Sequence, residues 1–391
     1  MFNYYLRSMK NRFLWLLVLG MALFASCSDD DDKDPFKNYS ADYSADKLDL
    51  KLNGMDITGA SVAFNSTNKE NASVTLKGLI PGESALEIKN LVVTELSGDD
   101  YSFIGENKND DRTVSVEGAV KSGVLSLKTG FKVTSKVVGE WMLARPVADN
   151  NGDVASGAIH IEIVSEVDSI TIPLWNKIPV NPNPEVEGDF GLTTLISSLG
   201  GGLLPGLLTK INLKEDGNLI ASYHQVSGIQ DIFDPSKTPL VDSEEGLVRY
   251  NVKDGQIYIL VNIASLLGRS TESDPTAGLM TMLETGIPLK LQLEGENMRA
   301  YVDREMMLPF MSVLELLKPM IDGLELDPSL AVMGITNESL KQLVDDIVNL
   351  VTKSSKVELG LNLIPYAKEV EPQASVSLPR AIEKTMLEFG K

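Results

Sequence analysis

From Leu48 the chain alternates apolar and polar positions. Leu48, Leu50 and Leu52 enclose Asp49 and Lys51, and Val74 and Leu76 enclose Thr75. Leu86, Ile88 and Leu91 follow, then Val114 and Val116, then Val124, Leu125, Leu127 and Phe131. A period of two sends successive side chains to opposite sides of a strand, so each run can bury one side. Asn53-Gly54, Pro81-Gly82, Ser97-Gly98 and Ser122-Gly123 separate the runs with turn residues. Short alternating runs between regular turns predict an antiparallel β domain over residues 45–136, built as a sandwich or half-open barrel.

A second domain is expected over residues 137–391. It opens with predicted strands at Gly139–Leu143, Ala158–Val164 and Ser169–Pro173, ahead of a Pro/Asn-rich stretch from Pro179 to Pro184. Leu192 to Leu208 is apolar but interrupted by Gly200-Gly201-Gly202 and Pro205. Those breakers predict two short helices or a helical hairpin. Asp216-Gly217 separates Ile211–Leu213 from Leu219–Tyr223, and Asp254-Gly255 separates Leu247–Val252 from Gln256–Val261. Asp-Gly between such runs signals a hairpin, because glycine accepts a positive φ. Leu289–Leu293 and Met298–Val302 form a third pair around Gly295.

Beyond them the period lengthens. Glu305–Leu317 and Asn337–Val351 read as helices. In the second, Leu340, Leu343, Val344, Ile347, Leu350 and Val351 share one side, with Thr336 or Asn337 as cap. Val357–Leu363 returns as a last strand. The fold class is therefore mainly β, α+β overall: an N-terminal antiparallel sandwich or half-open barrel, then an antiparallel β-barrel with inserted helices.

The start of the chain follows a different logic. Arg7, Lys10 and Arg12 precede an apolar run from Phe13 to Ala25. Cations followed by a short apolar run make a secretory signal, and the run falls short of the ~20 residues of a spanning helix. Residues 1–26 are expected to be removed after the small pair Ala25-Ser26. Cys27 is the only cysteine among 391 residues. An exported domain stapled by disulfides carries several cysteines. A lone cysteine directly after a signal can instead have its thiol alkylated with diacylglycerol and, after cleavage, its new amine acylated. Two or three chains anchor stably, at ~0.8 kcal/mol per buried methylene. Residues 27–44 are acidic and lack aliphatic periodicity, so a flexible tether is expected there.

Phe24-Ala25-Ser26-Cys27 resembles a bacterial lipobox. Ser28, Asp29, Asp30, Asp31 and Asp32 resemble the acidic export tag of surface lipoproteins in the Bacteroides group. That resemblance implies lipidation of Cys27 and an outer-membrane position facing the cell exterior. Gly139-Glu140-Trp141 is similar to the Gly-x-Trp signature on the first strand of lipocalins and other calycins, where the tryptophan closes one end of an eight-stranded barrel. The runs Gly217 to Tyr223, Val248 to Val252 and Ile257 to Ile259 extend the likeness to Bacteroides-group lipoproteins with a calycin-like domain, over about residues 45–365. That family brings no activity with it, and the helical insertions depart from a lipocalin.

Composition narrows the partners. The formal charge is −20, and removing residues 1–26 takes away cations only. No basic run is present, which disfavours nucleic acid. Candidate chemistry is sparse. The two histidines, His160 and His224, lie on separate predicted strands without metal-ligand spacing. Asp149-Asn150-Asn151-Gly152-Asp153 looks like a calcium loop, but Val154 and His160 stand where an EF-hand loop needs glycine and glutamate. Glu294 with Glu296, and Asp345 with Asp346, are paired acids of the kind glycosidases use across a sugar. They also fit solvated surfaces. Gly200-Gly201-Gly202 lacks the Lys-Ser/Thr of a phosphate loop. Asp168-Ser169-Ile170 matches a short O-glycosylation pattern of the same bacterial group.

No catalytic constellation, metal site or cofactor is expected. The Met-rich run Met306, Met307, Leu308, Phe310 and Met311 is adaptable apolar material, suited to core or to a pocket. The reading is a lipid-anchored surface protein holding an apolar small molecule or lipid in a helix-capped barrel. The rival is a structural, adhesion or glycan-binding module without a ligand cavity. Outside the signal, only Trp141 and Trp175 are available to stack on sugars.

Overall fold

Along Arg112–Lys121, buried and solvent-facing positions alternate almost residue by residue, and Val124–Val133 repeats the pattern. These two strands carry the first half of the fold. The structure, a computed structural model, describes residues 38–66, 71–148, 154–173, 176–181, 191–227, 235–262, 285–324 and 334–366, with positions 231, 326 and 331. The described residues from Tyr39 onward belong to one compact unit.

The first half has ten strands: β1 (Ala41–Ser44), β2 (Leu48–Leu52), β3 (Met55–Asp56), β4 (Ser61–Ser66), β5 (Ala72–Ile80), β6 (Glu83–Ile88), β7 (Val92–Glu95), β8 (Tyr101–Lys108), β9 (Arg112–Lys121) and β10 (Val124–Val133). They make two sheets, β1-β4-β5-β6 and β3-β2-β10-β9-β8-β7. Phe64 on β4 stands 4.9 Å from Tyr101 and 4.8 Å from Phe103 on β8, between ring centroids. The two sheets therefore share one interior, as in a sandwich. Arg112 on β9 donates from Nε at 2.6 Å and from Nη2 at 2.8 Å to the two carboxylate oxygens of Glu83 on β6. The chain enters this fold inside the acidic stretch, since β1 pairs with β4 and Tyr43 is buried. One pairing is parallel: β2 runs alongside β10, with Leu50 opposite Leu127. The chain crosses from one sheet to the other between β1 and β2, and so enters beside β10 in the same direction.

The second half comprises β11 (Gly139–Leu143), β12 (Val147–Ala148), β13 (Val154–Ser156), β14 (Ile159–Ser165), β15 (Ser169–Ile172), β16 (Asn176–Pro179), α1 (Leu192–Leu207), β17 (Leu208–Leu213), β18 (Leu219–His224), β19 (Leu240–Asp242), β20 (Val248–Lys253), β21 (Gln256–Val261), β22 (Ile287–Glu294), β23 (Asn297–Asp303), α2 (Arg304–Asp322), α3 (Asn337–Lys353) and β24 (Ser354–Pro365). A ten-stranded sheet runs β19-β18-β17-β11-β24-β23-β22-β21-β20, with β14 also on β24. The sheet curls as a half-barrel until β20 meets the start of β18 at an antiparallel bridge, Asn218 to Arg249.

Leu192–Leu207 is one helix rather than two or a hairpin. A Cβ on Gly200 would overlap the Ile159 side chain, so glycine there lets the helix lie against β14. Pro205 falls in the last turn. There, the Leu208 N–H still reaches the Leu204 carbonyl.

The sandwich and the half-barrel interlock. Asn53 at the β2–β3 turn donates at 2.9 Å to both Phe131 and Asp216 carbonyls. Asn251 donates to Pro81 O at 2.9 Å, and Gly82 N–H donates to Thr285 O at 2.6 Å. Gly217, at φ +81°, sits under the Phe131 ring where any Cβ would overlap it.

Candidate functional site

Register on β24 divides the half-barrel sheet into an apolar and a polar side. On one side Ile159 pairs with Leu361, Ile161 with Leu359 and Ile163 with Val357 across β14–β24. The same side carries Met298, Ala300 and Val302 of β23 opposite Leu363, Leu361 and Leu359. It continues through Leu291, Leu289 and Ile287 on β22 to Ile257 and Ile259 on β21. Because a strand's side-chain period is two, these pairings put all of them on one surface. In the sandwich the equivalent surface is fully covered: Leu125 and Leu127 are 0 % exposed. On the half-barrel the surface is only partly covered. Ile159, Ile161, Leu289, Leu291, Ala300, Val302 and Leu361 are half-buried, and Leu293 and Leu359 are each 41 % exposed.

One end of this surface is closed. Ile170 of β15, Ile178 of β16, Leu192 and Leu195 of α1 and Leu350 of α3 form a buried cluster, with Ile163 packed against it. Trp141 on β11 is buried and donates from Nε1 to the Val137 carbonyl at 2.8 Å.

Helices α2 and α3 are inserted between the paired strands β23 and β24 with no intervening residue at either foot. Asp303 caps α2 by accepting from the Met306 N–H at 3.0 Å, and Lys290 pairs with the same carboxylate. Thr336 and Ser339 form a capping box on α3. Arg304 donates at 2.9 Å to the carbonyls of Val351 and Thr352, which fastens the start of α2 to the end of α3. Met306, Met307, Leu308 and Phe310 remain half-buried, and only Met311 of that run is buried.

The polar side of the same strands carries charge. His160 Nε2 lies 2.8 Å from Glu358 Oε2, and its ring meets Tyr301 edge-on at 5.3 Å. Lys356 pairs with Glu162 at 2.7 Å and with Glu358 at 3.3 Å. Burial raises the Glu358 carboxyl, but the hydrogen bonds from His160 and Lys356 outweigh it and hold its pKa below the ordinary value. Burial and the bonds from Lys290 and the Met306 N–H act on Asp303 in the same way, with the same net lowering.

The sequence candidates separate from one another. His224 is on β18, where Nδ1 lies 3.1 Å from the Thr238 carbonyl. Asp345 pairs with Lys318, while Asp346 accepts the Thr171 N–H at 2.6 Å, tying α3 to β15. Glu294 and Glu296 are exposed at the β22–β23 hairpin. In the Asp168-Ser169-Ile170 pattern, Ser169 is half-buried and Ile170 is buried. Cys27, Ser28, Asp29, Asp30, Asp31 and Asp32 lie outside the described residues, as do Asp149 to Asp153 and Trp175.

Sequence reading missed the long-range partners of this surface. Each strand's alternation was visible, but nothing local joins Ile159 to Leu361. Among the described residues no group of His, Cys, Asp and Glu is arranged to hold a metal ion, and no helix is long and apolar enough to cross a membrane. Comparison with protein families, with curated proteins and with solved structures finds no match for this chain.

Proposed function

We propose that this chain is a lipid-anchored surface protein that takes up an apolar small molecule or lipid chain on the apolar side of its half-barrel. The observation that carries the reading is the partial exposure of that surface, next to a sandwich whose interior is filled. Each methylene moved from water onto such a surface contributes ~0.8 kcal/mol, so a medium-length alkyl chain supplies several kcal/mol before the cost of immobilising it. The half-buried methionines of α2 suit a partner of irregular shape.

A calycin-like identity for the half-barrel belongs to the same proposal. In its favour, β18, β17, β11, β24, β23, β22, β21 and β20 follow one another by antiparallel pairing and return to β18 through Asn218 and Arg249. Lipidation of Cys27 and display outside the outer membrane rest on the lipobox and on Ser28 to Asp32.

Native mass spectrometry of protein purified from its own cells tests the binding. Bound lipid-sized mass is expected, and Leu359→Lys, at a partly exposed position, should remove it without unfolding the chain. A mass no greater than that of the Cys27-acylated chain, from lipid-rich membranes, would overturn the binding proposal. Cys27→Ala should move the protein out of the membrane fraction, and protease added to intact cells should digest the wild type. Full protection would refute outward display.

A further inference from the structure

The polar side of β23 and β24 carries a concave region of its own chemical character. A cleft of about 270 Å³ opens where these strands meet β22 and the segment after β11. Arg145, Arg299, Gln292, Asn362 and Glu294 line it. Register puts Arg299 opposite Asn362 and Gln292 opposite Arg299, one residue out of step with Met298 and Leu363 of the apolar side. Met298 and Leu363 border the cleft as well, so it abuts the apolar surface while its polar groups come from the other side of the strands.

Arg299 is held in place without being neutralised. Its Nε donates to Asn362 Oδ1 at 2.9 Å, and Nη1 to Gln292 Oε1 at 3.4 Å. Asn362 is itself fixed, donating from Nδ2 to the Gly157 carbonyl at 2.9 Å. Gln292 donates to Glu294 at 2.6 Å, so the one acid of the cleft is engaged through an amide rather than by the guanidinium. Several other cations of the half-barrel are committed. Lys210, Lys214, Lys290 and Lys356 pair with carboxylates. Arg304 spends its donors on helix-end carbonyls, and Arg249 donates to Leu79 O. Among the described residues neither Arg299 nor Arg145 forms an ion pair. The cleft therefore keeps a net positive charge on a strongly acidic chain. A guanidinium held by neutral acceptors keeps its charge for an incoming anion, and its planar fork fits a carboxylate. Val147, 56 % exposed, and Ile364 supply an apolar wall beside it.

We infer that this cleft binds a small organic carboxylate about the size of one sugar ring, with Arg299 and Arg145 holding the carboxylate and the Gln292 and Asn297 side chains reaching neutral polar groups. Isothermal titration of the full chain in detergent with galacturonate, and with galactose as the neutral control, tests it. Galacturonate should bind at least tenfold more tightly than galactose, because charge-assisted hydrogen bonds are the strong ones. Arg299→Gln should weaken it about tenfold or more. Arg145→Gln removes an exposed side chain that has no hydrogen-bond or ion-pair partner among the described residues, so it should weaken binding without altering the thermal midpoint. Binding that falls as salt is added fits the same reading. No saturable binding, equal affinity for the neutral sugar, or unchanged affinity in both arginine variants would overturn the inference.

Discussion

Arg112 and Glu83 are 4 % and 7 % exposed at their side chains, and they join the two sheets of the sandwich by a fork of two hydrogen bonds. The Asn107 side-chain oxygen takes a third donor of the guanidinium at 2.9 Å. Removing one partner of a buried pair leaves the other charge without compensation. Glu83→Ala should therefore cost about 3–5 kcal/mol, read as a lower urea midpoint. Replacing both residues by apolar ones of similar volume should cost much less, and equal losses in the two variants would show that the charge is not the issue. Titration acts at the same scale. Asp303 and Glu358 both have lowered pKa values in the folded state. Their stabilisation is present above the ordinary carboxyl pKa of about 4 and is lost as pH falls through the lower folded values. Urea midpoints at neutral pH and at about pH 3 should diverge less in Glu358→Gln than in the wild type. An identical acid loss in the variant would remove Glu358 from the account.

At the scale of elements, the helical pair α2–α3 is the feature that separates this half-barrel from a plain sheet. Both feet continue directly from paired strands, so the orientation of the pair is set where Arg304 meets the end of α3. Those two hydrogen bonds also place a cation at the helix C-terminus, where the dipole favours it. Arg304→Ala should cost about 1–3 kcal/mol and speed amide exchange in the last turn of α3, while the sandwich keeps its protection. Faster exchange throughout the chain would mean that the joint supports the whole fold instead. The individual helices and hairpins were legible. Thr336 or Asn337 before an amphipathic run predicted the α3 cap, which Thr336 supplies, and Asp254-Gly255 predicted the β20–β21 turn. The continuity of α1 was not, because the glycines that weaken an isolated helix are what let this one approach Ile159.

At the scale of the molecule, the sandwich and half-barrel are read from sequence as separate domains, and in the structure they are locked by short contacts between residues far apart in the chain. Gly217→Ala places a methyl group into the Phe131 ring at a φ that disfavours it, a strain of about 1–3 kcal/mol. Its thermal midpoint should fall by several degrees, and an unchanged midpoint would show that the joint yields freely.

Local rules determined much of this protein. Alternation fixed which segments are strands, turn chemistry fixed where they reverse, and the run ending at Cys27 with Asp29 to Asp32 carried the expectation of an export and lipid address. These signals sit within a few residues of one another, where sequence spacing is spatial spacing. Only the tertiary structure decided which strands are neighbours. It placed Ile159 against Leu361 and left their shared surface partly open. It set Arg299 beside Asn362, with its charge unspent, on the other side of the same strands. Such pairings depend on which distant segments bury one another, and no local periodicity encodes that choice.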